Sequence, residues 1–341
     1  MDAGSLSGGH LKSQGRTGVV TAAVPRRGVG LRSPWLRAAV VLLVLGAWGW
    51  FLWGQLDALR AYEWRLAPLP FAAAVGWGAL YFAGLALSWT LLLRTTGGAA
   101  RQVALADGVR IWTGTMLSRY LPGNIWHIVG RVALAGSLGV SRTQVATSAT
   151  VEQLLTLLGA LALFALSLPF WRGAAGPEVW LLLFVPVGLA LLHPRVLGAL
   201  LAAAAARLRR PELAWPYSYG ELMRVLVAYI LANLAGGLAL WVIIAALAPT
   251  ELGQLAFVIG AAAAAWAAGY LSFLTPSGLG VREAALTAML AQVYPLPAAI
   301  VGSLVYRLAL TLGELVAAGA ALLYGRRRDA PVAEGGPKEP L

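Results

Sequence analysis

Residues 117–127 read Leu117-Ser118-Arg119-Tyr120-Leu121-Pro122-Gly123-Asn124-Ile125-Trp126-His127, and Arg131 follows. Residues 271–283 repeat the pattern as Leu271-Ser272-Phe273-Leu274-Thr275-Pro276-Ser277-Gly278-Leu279-Gly280-Val281-Arg282-Glu283. Each stretch opens on Leu-Ser, reaches a proline within five residues, adds glycine and leads to arginine. Proline removes a backbone donor and clashes with the preceding turn, and glycine lets backbone approach a ligand closely. Each stretch therefore interrupts a helix. Two such interruptions in the two halves of an apolar chain point to the binding site of a transporter.

The surroundings are apolar enough for that reading. Hydrophobic residues make up 59% of the 341 residues and charged residues 12%, where a soluble domain carries about 25% charged residues. Mean hydropathy is +0.74. At about 20 residues per crossing, spans are expected near 36–54, 70–93, 144–170, 178–193, 222–248, 255–274, 279–294 and 299–324. The fold class is all-α: a polytopic helix bundle in a membrane, with about eight spans. Residues 103–121 and 125–137 read as two half-helices of a re-entrant hairpin, broken at Pro122-Gly123. Irregular backbone at membrane depth is tolerated where protein buries it or a cavity hydrates it. Residues 196–208 read as an interfacial helix with Ala-rich and Arg faces.

The net charge of +12 sits at the edges of the apolar runs. Lys12, Arg16, Arg26, Arg27, Arg32 and Arg37 precede the first run, and Arg326, Arg327, Arg328 and Lys338 follow the last. That placement marks topology and contact with anionic lipid, and argues against nucleic acid as a partner. With both termini cytoplasmic, the arginine-rich segments 94–143 and 194–221 also fall inside. The parity of the C-terminal cluster favours counting 279–294 as a span. Residues 1–33 and 326–341 read as disordered basic tails around a membrane domain at 34–325, in the cell (plasma) membrane. The first apolar run lacks a small-residue cleavage site and reads as an uncleaved anchor.

Cysteine is absent and the three histidines lie far apart, so no thiol chemistry and no metal site is expected. Walker, GxSxG and HExxH motifs are missing, and no cofactor is expected.

The charged residues within the apolar segments carry the chemistry. Glu152 and Arg307 each lie eight residues inside an expected span, about 12 Å deep at 1.5 Å per residue. A charge at that depth costs a few kcal/mol and is expected to face the bundle interior and pair. Glu152 with Arg307 is the first candidate pair. Glu314 shares the Arg307 face two turns on. Arg282 and Glu283 point about 100° apart on a helix; one is expected to face a cavity and the other a partner helix. Half-helices that start after the breaks would aim N–H groups at a phosphate or carboxylate. His127 reads as a packed polar residue. Most of the 14 tryptophans read as interface anchors, Trp126 being the exception as a candidate site residue. Asn233 reads as an interhelical hydrogen bonder beside small residues. The candidate substrate-binding residues are Arg119, Pro122, Gly123, Asn124, Trp126, Arg131, Glu152, Thr275, Pro276, Ser277, Gly278, Gly280, Arg282, Glu283, Arg307 and Glu314.

At these residues the chain resembles the lysylphosphatidylglycerol synthase transmembrane family, a flippase-like membrane module. The matching stretches are Ser118-Arg119-Tyr120-Leu121-Pro122-Gly123-Asn124-Ile125-Trp126, Gly139-Val140-Ser141 with Glu152 downstream, residues 274–283, and Tyr306-Arg307-Leu308. The resemblance covers most of 36–324 and implies a multi-span protein that handles polar lipids. Gln153 stands where many relatives are expected to carry arginine. Seventeen residues follow Tyr324, so the family's aminoacyl-transferase domain, and with it the synthase activity, is not expected. The expected function is lipid translocation, passive or ion-coupled, on a phospholipid or lipid-linked substrate bearing phosphate. The alternatives are a non-catalytic membrane partner of a separately encoded glycosyl- or aminoacyl-transferase, or an enzyme on lipid-linked substrates using Glu152, Glu283 and Glu314.

Overall fold

The computed structural model describes residues 67–120, 125–171, 217–272 and 280–329, together with Gly278 and scattered positions within 46–61 and 186–199. All regular structure among them is helical. The main helices are α1 (Pro68–Thr95), α2 (Leu105–Met116), α3 (Trp126–Ala133), α4 (Arg142–Ser167), α5 (Tyr219–Leu247), α6 (Leu255–Leu271), α7 (Val281–Leu290) and α8 (Leu296–Asp329). Five helical segments are long and apolar enough to cross a membrane: Pro68–Thr95, Arg142–Phe170, Tyr219–Leu247, Leu252–Leu271 and Leu296–Tyr324. They match five of the expected spans. The expected spans 36–54 and 178–193, the interfacial helix 196–208 and the tail 1–33 fall mainly outside the described residues. Residues 279–294 differ from expectation: α7 has ten residues, a length of about 15 Å, half a hydrocarbon core. The last helix runs on through the basic cluster to Asp329.

Local sequence explains the helix starts. Pro68 begins α1, where its missing N–H costs nothing. Ser141 with Gln144 opens α4 and Ser218 with Glu221 opens α5, each pair exchanging side-chain and backbone hydrogen bonds.

Close contacts give the helix directions. Gly84 abuts Ala232 and Gly236 abuts Tyr81, so α1 and α5 run antiparallel. Gln144 Nε2 donates to Thr96 Oγ1 at 3.2 Å and to Gly97 O at 3.0 Å, which places the start of α4 beside the end of α1. Residues 98–141 therefore leave that end of the bundle and come back to it. On the way in, Gly108 packs on Thr90 and Arg119 reaches Phe82. On the way back, Gly130 packs on Thr115 and Arg131 reaches Trp89. Phe82 lies 13 residues before Thr95, so the reversal penetrates roughly 20 Å.

A second reversal enters from the opposite end. Gly260 meets Ser167 at the far end of α4. Tyr294 Oη donates to Gln254 Oε1 at 2.9 Å, tying the turn after α7 to the residue before α6. Between them Gly278 and Arg282 both pack on Gly269. The inner end of α6 lies where Tyr270 Oη donates to Gln153 Oε1 at 3.1 Å. Gln153 is 11 residues into α4, roughly 16 Å from the first end.

The last helix starts at the far end, where Gly302 meets Ile244, and passes Gly78 at Gly313. It thus carries Arg326, Arg327 and Arg328 to the end that already holds Arg94, Arg101, Arg142 and Arg224. This crossing is tight: a Cβ on Gly313 would stand 2.6 Å from Ala79 N and from Gly78 C. Small residues allow such backbone approach in membrane bundles. Gly313→Ala is expected to cost about 1–3 kcal/mol by overpacking, read as a lower melting temperature of the purified protein.

Candidate functional site: buried charges around a central cavity

The two reversals bring separated charges to the middle of the bundle. Arg131 and Glu152, 0% and 2% exposed, form an ion pair between Arg131 Nη1 and Glu152 Oε2. Trp112 Nε1 donates to the other carboxylate oxygen at 2.6 Å. The Arg131 guanidinium lies over Trp89, 4.9 Å from the ring centroid, a cation–π contact that compensates part of its burial. Arg119 Nη2 meets Glu314 Oε2 at 2.5 Å and its guanidinium lies over Phe82. Glu283 accepts a hydrogen bond from the Gly280 N–H at 2.7 Å, closing the first turn of α7, and its other oxygen faces Arg307 Nε at 3.6 Å.

The expected partnership is thereby corrected. Glu152 and Arg307 are both buried, as their depth required, but they do not pair with each other. Glu152 takes Arg131 and Arg307 takes Glu283. The reason is topological: the first reversal swings α3 against α4, and α7 turns back against α8. Glu314 takes Arg119, so the two acidic and basic positions on one face of α8 serve different reversals.

The divergence of Arg282 and Glu283 stands as expected. Glu283 turns to α8. Arg282 turns to a cavity of about 80 Å³, with its guanidinium 5.7 Å from the Tyr306 ring centroid. A water needs some 10–15 Å³ of such space, so the cavity has room for several waters or one polar fragment. Its wall combines Arg119, Arg282 and Glu152 with Gln153, His127 and Thr156, and a set of aromatics including Tyr81, Phe82, Trp112, Trp266 and Tyr270. Trp266 and Tyr270 are stacked, centroids 5.0 Å apart. Buried groups near it remain without hydrogen-bond partners among the described residues: Arg131 Nη2 and His127 Nδ1. Such groups carry a desolvation penalty unless water or a ligand meets them.

The other candidates divide clearly. Gly278 lines the cavity. Gly280 lies at the start of α7 with φ +86°, a conformation glycine adopts readily. Trp126 is 45% exposed and absent from the cavity wall. Pro122, Gly123, Asn124, Thr275, Pro276 and Ser277 lie outside the described residues. Asn233 is a correction: its side chain donates to Tyr229 O of its own helix, at 2.8 Å, while packing against Gly159.

Several residues in the wall or behind it carried no readable signal. Trp112 and Trp89 are 1% and 0% exposed, so they are core groups rather than interface anchors. His127 is buried and faces the cavity as well. Gln153, where an arginine was expected, holds Tyr270 of the opposite reversal. No family model matches this chain, and no curated protein matches it significantly, so the case for the site rests on its own residues.

Proposed function

We propose that the protein is a membrane lipid translocase of the flippase-like kind, taking the phosphate of a polar headgroup into the central cavity. The observation that carries this reading is Arg282. Arg119, Arg131 and Arg307 each have a carboxylate, whereas Arg282 faces the cavity with an aromatic ring and no carboxylate within ion-pair distance among the described residues. The three neutral pairs plus Arg282 leave a net single positive charge, which complements the single negative charge of a phosphodiester. Aromatic walls suit the apolar edge of the headgroup and glycerol region.

In this reading 98–141 and 252–294 are two re-entrant hairpins entering from opposite faces. Their tips and the aromatic wall between them form the binding site, in keeping with irregular backbone placed where a cavity lies. The crossings are then 36–54, 68–95, 142–170, 178–193, 219–247 and 296–324. A hairpin returns the chain to the face it left, so the parity argument survives with neither 255–274 nor 279–294 counted as a crossing. The arginine-rich end is assigned to the cytoplasm by its charge, with both termini there, in the cell membrane.

The test is a vesicle assay. Purified protein is reconstituted with a phosphatidylglycerol labelled on its headgroup, and a membrane-impermeant quencher is added outside. The protein is expected to expose inner-leaflet lipid that protein-free vesicles keep protected. Arg282→Gln removes a charge-assisted contact and is expected to slow this by about tenfold or more. A rate equal to the unsubstituted protein's would sink the assignment of Arg282.

A further inference from the structure

A second concavity lies far from the central cavity, at the arginine-rich end. It forms where α1 ends, the turn Gly98–Gln102 follows, and α5 begins. Its volume is about 400 Å³ and its charged wall is Arg94, Arg101, Arg224 and Glu221. Leu91 and Val225 close its inner side, one step further into the apolar part of their helices.

Two of the three arginines are tethered yet keep donors to spare. Arg94 Nε donates to Arg101 O at 3.2 Å and Arg224 Nε to Gly220 O at 3.3 Å. Those bonds fix the stems and leave the terminal guanidinium nitrogens for other partners. The one carboxylate is already engaged: Glu221 Oε2 accepts from Ser218 N at 3.2 Å and Ser218 Oγ at 2.8 Å in the cap of α5. Among the described residues none of the three arginines has a carboxylate within ion-pair distance. Three guanidiniums against one carboxylate leave the cleft two positive charges in excess.

We propose that this cleft is a binding site for a phosphate monoester dianion. A monoester carries about −1.5 to −2 at neutral pH and three strong acceptor oxygens, which matches the excess charge. Arginine forks bind such a group with paired hydrogen bonds. A phosphodiester has half the charge and two free oxygens, and so fits the cleft less well. Basic pockets between membrane helices at a cytoplasmic face recruit anionic headgroups, and the Leu91 and Val225 wall offers an apolar surface to the adjoining acyl region. A headgroup ending in a monoester and free phosphate share the recognised chemistry; the arms of the test separate them. The site is independent of lipid movement, because binding is read without transport.

The full chain in uncharged detergent is titrated calorimetrically with short-chain phosphatidic acid, short-chain phosphatidylglycerol and inorganic phosphate. Phosphatidic acid is expected to bind most tightly. The double variant Arg94→Gln/Arg224→Gln is expected to weaken it by about tenfold or more through lost charge-assisted bonds. Arg101→Gln, a single change on an exposed side chain, is expected to weaken it about threefold to tenfold and guards against misfolding of the double variant. Inorganic phosphate that binds with the same sensitivity to these variants supports free phosphate as the ligand. Phosphatidic acid binding with no phosphate binding supports a lipid. Affinity unchanged in both variants, or phosphatidylglycerol bound as tightly as phosphatidic acid, overturns the proposal.

Discussion

Glu152→Ala is expected to destabilise the protein by about 3–5 kcal/mol, the penalty for removing one member of a buried ion pair. The magnitude follows from the surroundings. Arg131 is fully buried, and its other terminal nitrogen already lacks a hydrogen-bond partner among the described residues. Without Glu152 the cation keeps only the Trp89 face and the His127 carbonyl at 3.5 Å. Trp112 Nε1 loses its acceptor at the same time. Two companions separate charge from packing. Glu152→Gln keeps an acceptor and is expected to cost less. The pair Glu152→Leu/Arg131→Met removes both charges and is expected to recover most of the loss, since apolar replacement of a buried pair is often nearly neutral. Melting curves of the purified protein give the answer. A melting temperature in Glu152→Ala equal to the unsubstituted protein's would contradict the pairing.

Gly278→Ala is expected to displace the tip of the second reversal and, if the proposed function holds, to abolish lipid movement. The residue has φ +68°, and a Cβ there would stand 2.6 Å from Gly269 O and 2.7 Å from Gly269 Cα. Those are backbone atoms of α6, so no side chain can rotate away. The strain of the left-handed conformation adds about 1–2 kcal/mol. Gly280→Ala is the matched control. Its φ is +86°, but no atom stands within 4 Å of the added Cβ, so it is expected to cost conformational strain alone and to retain movement. Equal transport in Gly278→Ala and the unsubstituted protein would show that the α6–α7 contact does not shape the site.

Much of the architecture was legible because the membrane makes composition decisive. The described long helices fall where apolar runs of sufficient length predicted them. α2 ends at Met116, inside the expected half-helix 103–121, while Pro122-Gly123 lies outside the described residues; at the second break Gly278 and Gly280 have the positive φ angles that such glycines provide. The opposed directions of Arg282 and Glu283 followed from helix geometry alone.

Partner choice was not legible. Helix periodicity says which face a charge occupies, and burial of Glu152 and Arg307 follows from it. It does not say which distant segment covers that face. Arg131 reaches Glu152 only because α3 returns along α2 to the start of α4, tied there by Gln144 on Thr96 and Gly97. The core tryptophans Trp89 and Trp112 were hidden for a related reason. An indole beside a membrane usually sits at the interface, and only the buried carboxylate and guanidinium make an interior position favourable. The short α7 read as a span because the parity of the C-terminal basic cluster required one more crossing; its length is limited by the break at Gly280 and the turn after Leu290.

In the proposed function, the cavity between the two reversals holds a lipid headgroup through Arg282. The chain contains no cysteine, so a single thiol can report on that cavity without background. Gln153→Cys places one on the wall. Labelling by a water-soluble, membrane-impermeant maleimide is measured with and without short-chain phosphatidylglycerol, alone and together with Arg282→Gln. The account predicts labelling that the lipid suppresses, and loss of that protection when Arg282 is replaced. A thiol that never labels, or protection that persists without Arg282, would contradict it.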